Sequence, residues 1–380
     1  MKFVFAPDSF KGSFTSGEII NCLTRYAKKH FPEAELIGIP MADGGEGTVE
    51  ALLSSLGGEK EELMVAGPMG KETSAVIGYL RDGKTAVLEM AQASGLTLAG
   101  KRNDPMKATS YGTGQMIQHV LDRGAENIVI GIGGSATNDG GMGAMTALGV
   151  VFLDEKGERL TGCGENLGRV ASVEPGRILE RTSDIRISVI CDVTNPLLGE
   201  NGATYVYGPQ KGVKKENLKD LDQAMEHYIL HVERKLGRSI RQIPGAGAAG
   251  GMGAALSGFL NAELKPGIEV ILDLAGFDEI IRDASLVITG EGRIDRQSLE
   301  FGKVPSGVLK RCRPWNVPVL ILTGSMGLEA ESAYQDQKVS IMTSVNDVMT
   351  IEEAMGNSRV LLESAAERMF LFLKIGRDLR

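Results

Sequence analysis

Short apolar runs that stop at glycine- and acid-rich loops, each followed by helical periodicity, recur at both ends of this chain and restrict it to an α/β architecture. Residues 2–6 (KFVFA) read as a strand that stops at Pro7, whose ring removes a ladder donor. The loop Asp8-Ser9-Phe10-Lys11-Gly12-Ser13 follows, then a helix from about Ser16 with Ile19, Ile20, Leu23 and Ala27 on one face. Residues 36–40 form a second strand, ending in the loop 41–48 (MADGGEGT) before a helix over 49–56. The same rhythm returns after Ser285. Strands over 286–289, 317–322 and 339–342 end in glycine-bearing or polar segments, with helices near 304–312 and 358–373. Two parallel units at the start and three at the end predict a five-stranded, doubly wound parallel sheet of the flavodoxin or Rossmann type, split in sequence. Its most economical order is 2-1-3-4-5, with the switch point between the first strand and the one at Leu286.

The middle of the chain follows another pattern. Runs at 64–66, 75–80 and 85–90 read as successive strands joined by turns. Residues 78–85 (GYLRDGKT) satisfy the phosphate-loop spelling GxxxxGK[ST], but Asp82-Gly83 between two alternating runs is a hairpin signal, and that motif needs a strand before it and a helix after it. A helix near 108–123 leads into 128–143 (IVIGIGGSATNDGGMG), a buried strand feeding a glycine turn and a small-residue helix. Such a turn offers backbone N–H groups and a helix N-terminus to an anion. Further strands at 150–153 and 187–190 follow, the second ending in CDVTNP (191–196). An amphipathic helix covers about 215–236, and 244–253 (PGAGAAGGMG) opens a helix to about 260. The chain is thus expected to hold a discontinuous Rossmann-like domain, 1–60 plus 285–380, and an inserted α/β domain with a mixed sheet, 61–284. The active site is expected in the cleft between them.

At 380 residues the chain has room for two cores, and its 50 glycines lack any collagen-like period. A net charge of −8 without a basic block argues against a nucleic-acid partner. No apolar run approaches a membrane span, and residues 1–12 lack the apolar core of a secretory signal. Four isolated cysteines (Cys22, Cys163, Cys191, Cys312) show no metal or redox spacing, which fits a reducing cytoplasm. His227 and His231, four residues apart, read as a helix-surface pair rather than a zinc site. Nothing in the sequence reports on oligomeric state.

The strand-end loops gather Asp8, Ser9, Lys11, Asp43, Glu46, Asp139, Asp192, Asn195, Glu291 and Asp295. Several carboxylates beside anion-binding turns would repel a phosphate unless a divalent cation joined them. The combination therefore points to Mg²⁺, nucleotide phosphates and phosphoryl transfer. Each acid also has a structural role open to it: Asp8, Asp43 and Asp139 could cap the helices that follow. Lys11, Lys211 or Arg293 would neutralise the phosphate or an acidic acceptor, although Lys211 and the arginines could instead be solvated.

Read together, APDSFKGS (6–13), ADGGEGT (42–48), GIGGSATNDGG (131–141), CDVTNPLLG (191–199), GPQKG (208–212), PGAGAAGG (244–251) and ITGEGRID (288–295) closely resemble the bacterial type I glycerate kinases. Ser298 stands where that family is expected to carry threonine. The resemblance implies ATP-dependent phosphorylation of D-glycerate, usually to 2-phosphoglycerate, by a Rossmann-like domain split around an inserted α/β domain. On this reading Asp8, Ser9, Phe10, Lys11 and Arg293 hold glycerate. The nucleotide phosphates lie on Gly133, Gly134, Ser135, Thr137, Asn138, Gly245, Gly247 and Gly250. Asp192 is the leading candidate for base, with Lys11 and Asp43 in catalysis, and Asp43, Glu291 and Asp192 near Mg²⁺. The partners are then D-glycerate and ATP. Rival readings are phosphorylation at the 3-hydroxyl, an NAD-dependent dehydrogenase using Gly245, Gly247 and Gly250, and a non-catalytic small-acid sensor.

Overall fold

The computed structural model describes residues 1–41, 47–100, 103–300 and 303–379. The chain parts into two compact units, Met1–Asp43 with Gly267–Arg380, and Gly44–Pro266.

The first unit is built on a five-stranded sheet. Its spatial order is Val339–Thr343, Val319–Met326, Leu286–Ile294, Lys2–Pro7, Glu35–Gly38. Every pairing is parallel, so the order is the 2-1-3-4-5 expected from the recurring strand-loop-helix pattern. Lys2–Pro7 and Leu286–Ile294 are neighbours, with Phe3 opposite Leu286 and Pro7 opposite Gly290. Between the first two strands runs the helix Ser16–His30. It starts where a capping box allows: Thr15 Oγ1 accepts from Glu18 N–H, and the Glu18 carboxylate accepts from Thr15 N–H. The long helix Ser358–Asp378 covers the same face. Its fully buried Phe370 packs on Phe3, Phe5 and Phe31, ring centroids 6.0, 6.3 and 6.5 Å away.

The second unit holds a six-stranded mixed sheet, in order Glu263–Lys265, Arg186–Ile190, Asn127–Gly131, Thr85–Glu89, Glu72–Leu80, Gly58–Ala66. The first four run parallel and the last two pair antiparallel. The phosphate-loop spelling lies in the antiparallel hairpin. Asp82 Oδ1 accepts from the N–H groups of Lys84 and Thr85, and Gly83 takes φ +68°, a left-handed turn that suits glycine.

The unit boundaries differ from those drawn at 60 and 285, because two helices side with their packing partners rather than with the rhythm of the sequence. The helix Thr48–Leu56 lies on Glu72–Leu80, where a Cβ on Gly78 would meet Val49 Cγ1 at 3.0 Å. The helix Gly267–Leu274 lies on Val304–Cys312 in the same way, through Gly307 and Ile268. Arg311 fixes that contact by pairing with Glu269, Asp273 and Asp278. Three-residue strands at Ser172–Glu174 and Glu263–Lys265 carry no readable periodicity and are additions to the expected elements.

The aromatic cluster ties the last helix to the first strand. Phe370→Ala should therefore cost about 3–5 kcal/mol, read as a lower denaturation midpoint with an unchanged slope in urea.

Candidate active site

The strand Leu286–Ile294 runs on past Thr289, where glycine was expected to end it, because its ladder with Val319–Met326 continues. Glu291 sits opposite Thr323 and Arg293 opposite Ser325. The glycines permit this close pairing. A Cβ on Gly290 would lie 1.8 Å from the Leu322 carbonyl oxygen, and one on Gly324 would lie 2.6 Å from that of Gly292. Glu291 and Arg293, two residues apart in a strand, face the same side of the sheet.

The loop after the first strand is pinned beside them. Asp8 N–H donates to the Gly290 carbonyl at 2.8 Å, and Asp8 Oδ1 accepts from Ser9 N–H at 2.7 Å. Asp8 is not a helix cap, since Thr15 fills that role. Asp8, Ser9, Phe10, Lys11, Glu291 and Arg293 thus line one cleft of about 510 Å³. Lys303, Ser325 and Ser344 share it, and none of the three was singled out in the sequence.

Glu291 is 8% exposed, with Oε2 4.0 Å from Lys303 Nζ. Its Oε1 is buried and has no hydrogen-bond partner among the described residues. Burial pushes the Glu291 carboxyl above the usual carboxylate range, while a hydrogen bond with Ser298 and the nearby Lys303 charge act against that rise. An undonated buried carboxylate oxygen is costly, so it suits a ligand that brings a hydroxyl proton or a cation.

The second unit presents a separate pocket of about 370 Å³, lined by Gly133, Gly134, Ser135, Asp192, Tyr207 and Lys211 among others. Leu96 N–H donates to the Gly134 carbonyl at 2.8 Å and Ala136 N–H to that of Ser94 at 2.9 Å, so the turn is held from one side. Gly133 and Gly134 are exposed, and a Cβ on Gly133 would touch nothing within 4 Å. Among the described residues the amides of Gly133 and Gly134 have no acceptor. Asp192 is exposed at the end of Arg186–Ile190. Tyr207 donates to Asn195 Oδ1 at 2.6 Å, which orders the CDVTNP loop.

Other expected anion contacts are placed differently. The helix after the turn begins only at Met142, and its first N–H groups are already satisfied. The Asp139 carboxylate is buried and accepts from the N–H groups of Gly141 and Gly143, and from Ser110 N–H and Oγ. Thr137 and Asn138 are fully buried, and Asn138 Nδ2 donates to Thr204 Oγ1 at 3.0 Å. Gly245, Gly247 and Gly250 are buried too. Cβ atoms on Gly247 and Gly250 would lie 2.1 Å from the carbonyl oxygens of Pro196 and Thr137. Their missing side chains serve backbone packing, which explains the glycine run without a phosphate against it.

Of the two roles open to Lys211, a charge facing phosphate or a solvated side chain, its burial removes the second. It is 3% exposed, and its Nζ donates to Ser135 Oγ and the Thr137 carbonyl, both at 2.8 Å. Glu89, also overlooked, is buried and accepts from Gly47 and Val49 N–H, anchoring the start of Thr48–Leu56. Asp43 and Glu46 lie outside the described residues.

Among the described residues no three His, Cys, Asp or Glu side chains converge on a metal position. Mg²⁺ characteristically uses one or two carboxylates together with substrate phosphates and water, so a single acid such as Asp192 or Glu291 beside a phosphate fits it. The rings of His227 and His231 lie 4.7 Å apart on their helix, tilted by 49°, and His227 Nε2 lies 2.7 Å from the Val170 carbonyl oxygen. Among the described residues no helix is long and apolar enough to cross a membrane.

The two kinds of glycine should separate on substitution. Gly133→Ala should leave thermal stability within about 0.5 kcal/mol of the parent. Gly247→Ala, forced against Pro196, should lower the melting temperature by several degrees or prevent folding.

A model of the Glycerate kinase family matches residues 3–374. A glycerate kinase of Halalkalibacterium halodurans is 44% identical over 367 residues, covering 96% of each chain. The glycerate 2-kinase of Escherichia coli K12 is 42% identical over 380 residues, covering 99% of each. A crystal structure from Salmonella typhimurium LT2, assigned provisionally as a glycerate kinase 2, superposes with a TM-score of 0.85 at 40% identity, over 100% of this chain and 99% of that one. End-to-end identity of this size, carried on the same fold, means that the chain belongs to the glycerate kinase family.

Proposed function

We propose that this protein transfers the γ-phosphoryl group of ATP to the 2-hydroxyl of D-glycerate, with Mg²⁺ as the required cation. What supports this most is the 42% identity, along almost the whole of both chains, with the E. coli protein named glycerate 2-kinase. The two pockets divide the chemistry in a matching way. The cleft of the first unit offers Lys11, Lys303 and Arg293 to a small carboxylate, and the undonated Glu291 oxygen to a hydroxyl. Arg293 is exposed where it lines this cleft, so its fork can meet the glycerate carboxylate. The open Gly133–Gly134 turn offers backbone donors to phosphate, and Asp192 lies in the same pocket.

This grouping moves the candidate base from Asp192 to Glu291. A general base must reach the proton it removes, and Glu291 shares its cleft with the proposed acceptor-binding residues. Asp192, beside the proposed nucleotide loop, would hold the cation, which when bound neutralises charge on the transferring phosphoryl group. Glu291 takes the 2-hydroxyl proton, the freed oxygen attacks the γ-phosphorus, and the bond to the bridging oxygen breaks to release ADP. The dehydrogenase alternative loses its footing, because Gly247 and Gly250 press on backbone carbonyls and Gly245 is buried against Cys191 Sγ and the Val193 carbonyl.

The test is ADP release on mixing protein, ATP, Mg²⁺ and D-glycerate, with the product taken directly by enolase so that only 2-phosphoglycerate reports. Chelation of Mg²⁺ should abolish turnover. Glu291→Gln should lower kcat by about 10²–10⁴-fold with little change in the KM for glycerate. Absence of ADP would overturn the kinase reading. Product invisible to enolase would move the reaction to the 3-hydroxyl.

A further inference from the structure

Lys211 has surroundings unusual for a lysine. Its Nζ is buried, and its two described partners are neutral oxygens, Ser135 Oγ and the Thr137 carbonyl. A neutral amine has two N–H groups, and both are used here. An ammonium has a third, which would need another acceptor. The charged and titratable groups that face it are few. Asp139 is close enough to favour the charged form, but its oxygens are already taken by Ser110, Gly141 and Gly143. Asp192, Cys191 and Tyr207 are on the walls of the pocket. Burial accordingly drives the Lys211 amine down to about 7. The loop it holds is the exposed turn at Gly133 and Gly134, through the residues that directly follow it.

We propose that Lys211 is a proton-coupled phosphate-binding residue: in mildly alkaline solution its amine is largely neutral when the Gly133–Ser135 turn is empty and takes up a proton when a nucleotide phosphate arrives there. The phosphate supplies both the missing third acceptor and the counter-charge. This rests on the nucleotide reading of the second pocket. Its consequence is a directional pH dependence. Above about pH 7 the empty protein has lost the proton that the bound state keeps, so affinity falls as pH rises. The nucleotide's own terminal phosphate, ionised above about pH 6, does not produce that fall.

Isothermal titration of the full chain with MgADP, in pairs of buffers that differ in ionisation enthalpy, counts the protons exchanged. Near pH 8 the parent protein should take up most of one proton per MgADP bound, and its Kd should rise about tenfold per pH unit from there towards pH 9. Lys211→Met, matched in length and checked by its thermal unfolding, should bind more weakly without proton uptake and with a flat pH profile. The parent alone can defeat the proposal: binding without proton uptake and without the rise in Kd assigns Lys211 a purely structural role. Equal uptake by Lys211→Met overturns it as well. Failure of the parent to bind MgADP at any pH removes the nucleotide reading, and this proposal with it.

Discussion

The parallel pairing of Lys2–Pro7 with Leu286–Ile294 is the contact on which the first unit depends. It joins stretches nearly 280 residues apart and makes one sheet out of the two ends of the chain. Its register is also chemical. With Pro7 opposite Gly290 and Asp8 N–H donating to the Gly290 carbonyl, the Asp8–Lys11 loop leaves its strand beside Glu291 and Arg293. A two-residue slip would carry Asp8 and Lys11 away from Glu291 and Arg293, with which they share a cleft. The topological switch point is thus a place where two loops diverge over one opening, as expected of open parallel sheets.

The glycine excess has two physical origins that a string of letters cannot separate. At Gly133 there is open space, and the lack of a side chain leaves backbone donors uncovered. At Gly247, Gly250 and Gly290 a neighbouring carbonyl stands within about 2 Å of where a Cβ would be, so glycine is there for packing. The buried polar groups divide similarly. Asp139 is hydrogen-bonded on every side and organises the start of a short helix, whereas Glu291 keeps one oxygen without a donor. The full set of donors on Asp139 suits a scaffold role, whereas the Glu291 oxygen lines a cleft where a ligand's hydroxyl or a cation could meet it.

Much of the first unit was legible because its three central strands, Lys2–Pro7, Leu286–Ile294 and Val319–Met326, are buried along most of their length and read as apolar runs, and the strand-loop-helix rhythm around them gave the count and order. The loops at their carboxyl ends were legible for the same reason, and Asp8, Ser9, Lys11, Glu291 and Arg293 meet in one cleft. What escaped depended on contacts distant in sequence. The continuation of strand through Gly290-Glu291-Gly292 is decided by its partner Val319–Met326. Lys211 carries no periodic signal, and only the fold brings Ser135 and Thr137 to it. The sides taken by Thr48–Leu56 and Gly267–Leu274 were set by side chains such as Val49 and Ile268 meeting glycines elsewhere.

The split of the first sheet has a consequence for how the chain is made. Residues 44–266 emerge as one uninterrupted stretch and contain every strand of their own mixed sheet, so this unit can close while translation continues. The opening strand and the helix Ser16–His30 are synthesised first yet must wait longest, because the neighbour that buries the other edge of that strand begins at Leu286. During the interval Phe3 can meet Phe31, but the Phe370 ring that packs on both Phe3 and Phe5 has not yet been made. The N-terminal strand and helix therefore keep part of their apolar surface uncovered until the last third of the chain has been made.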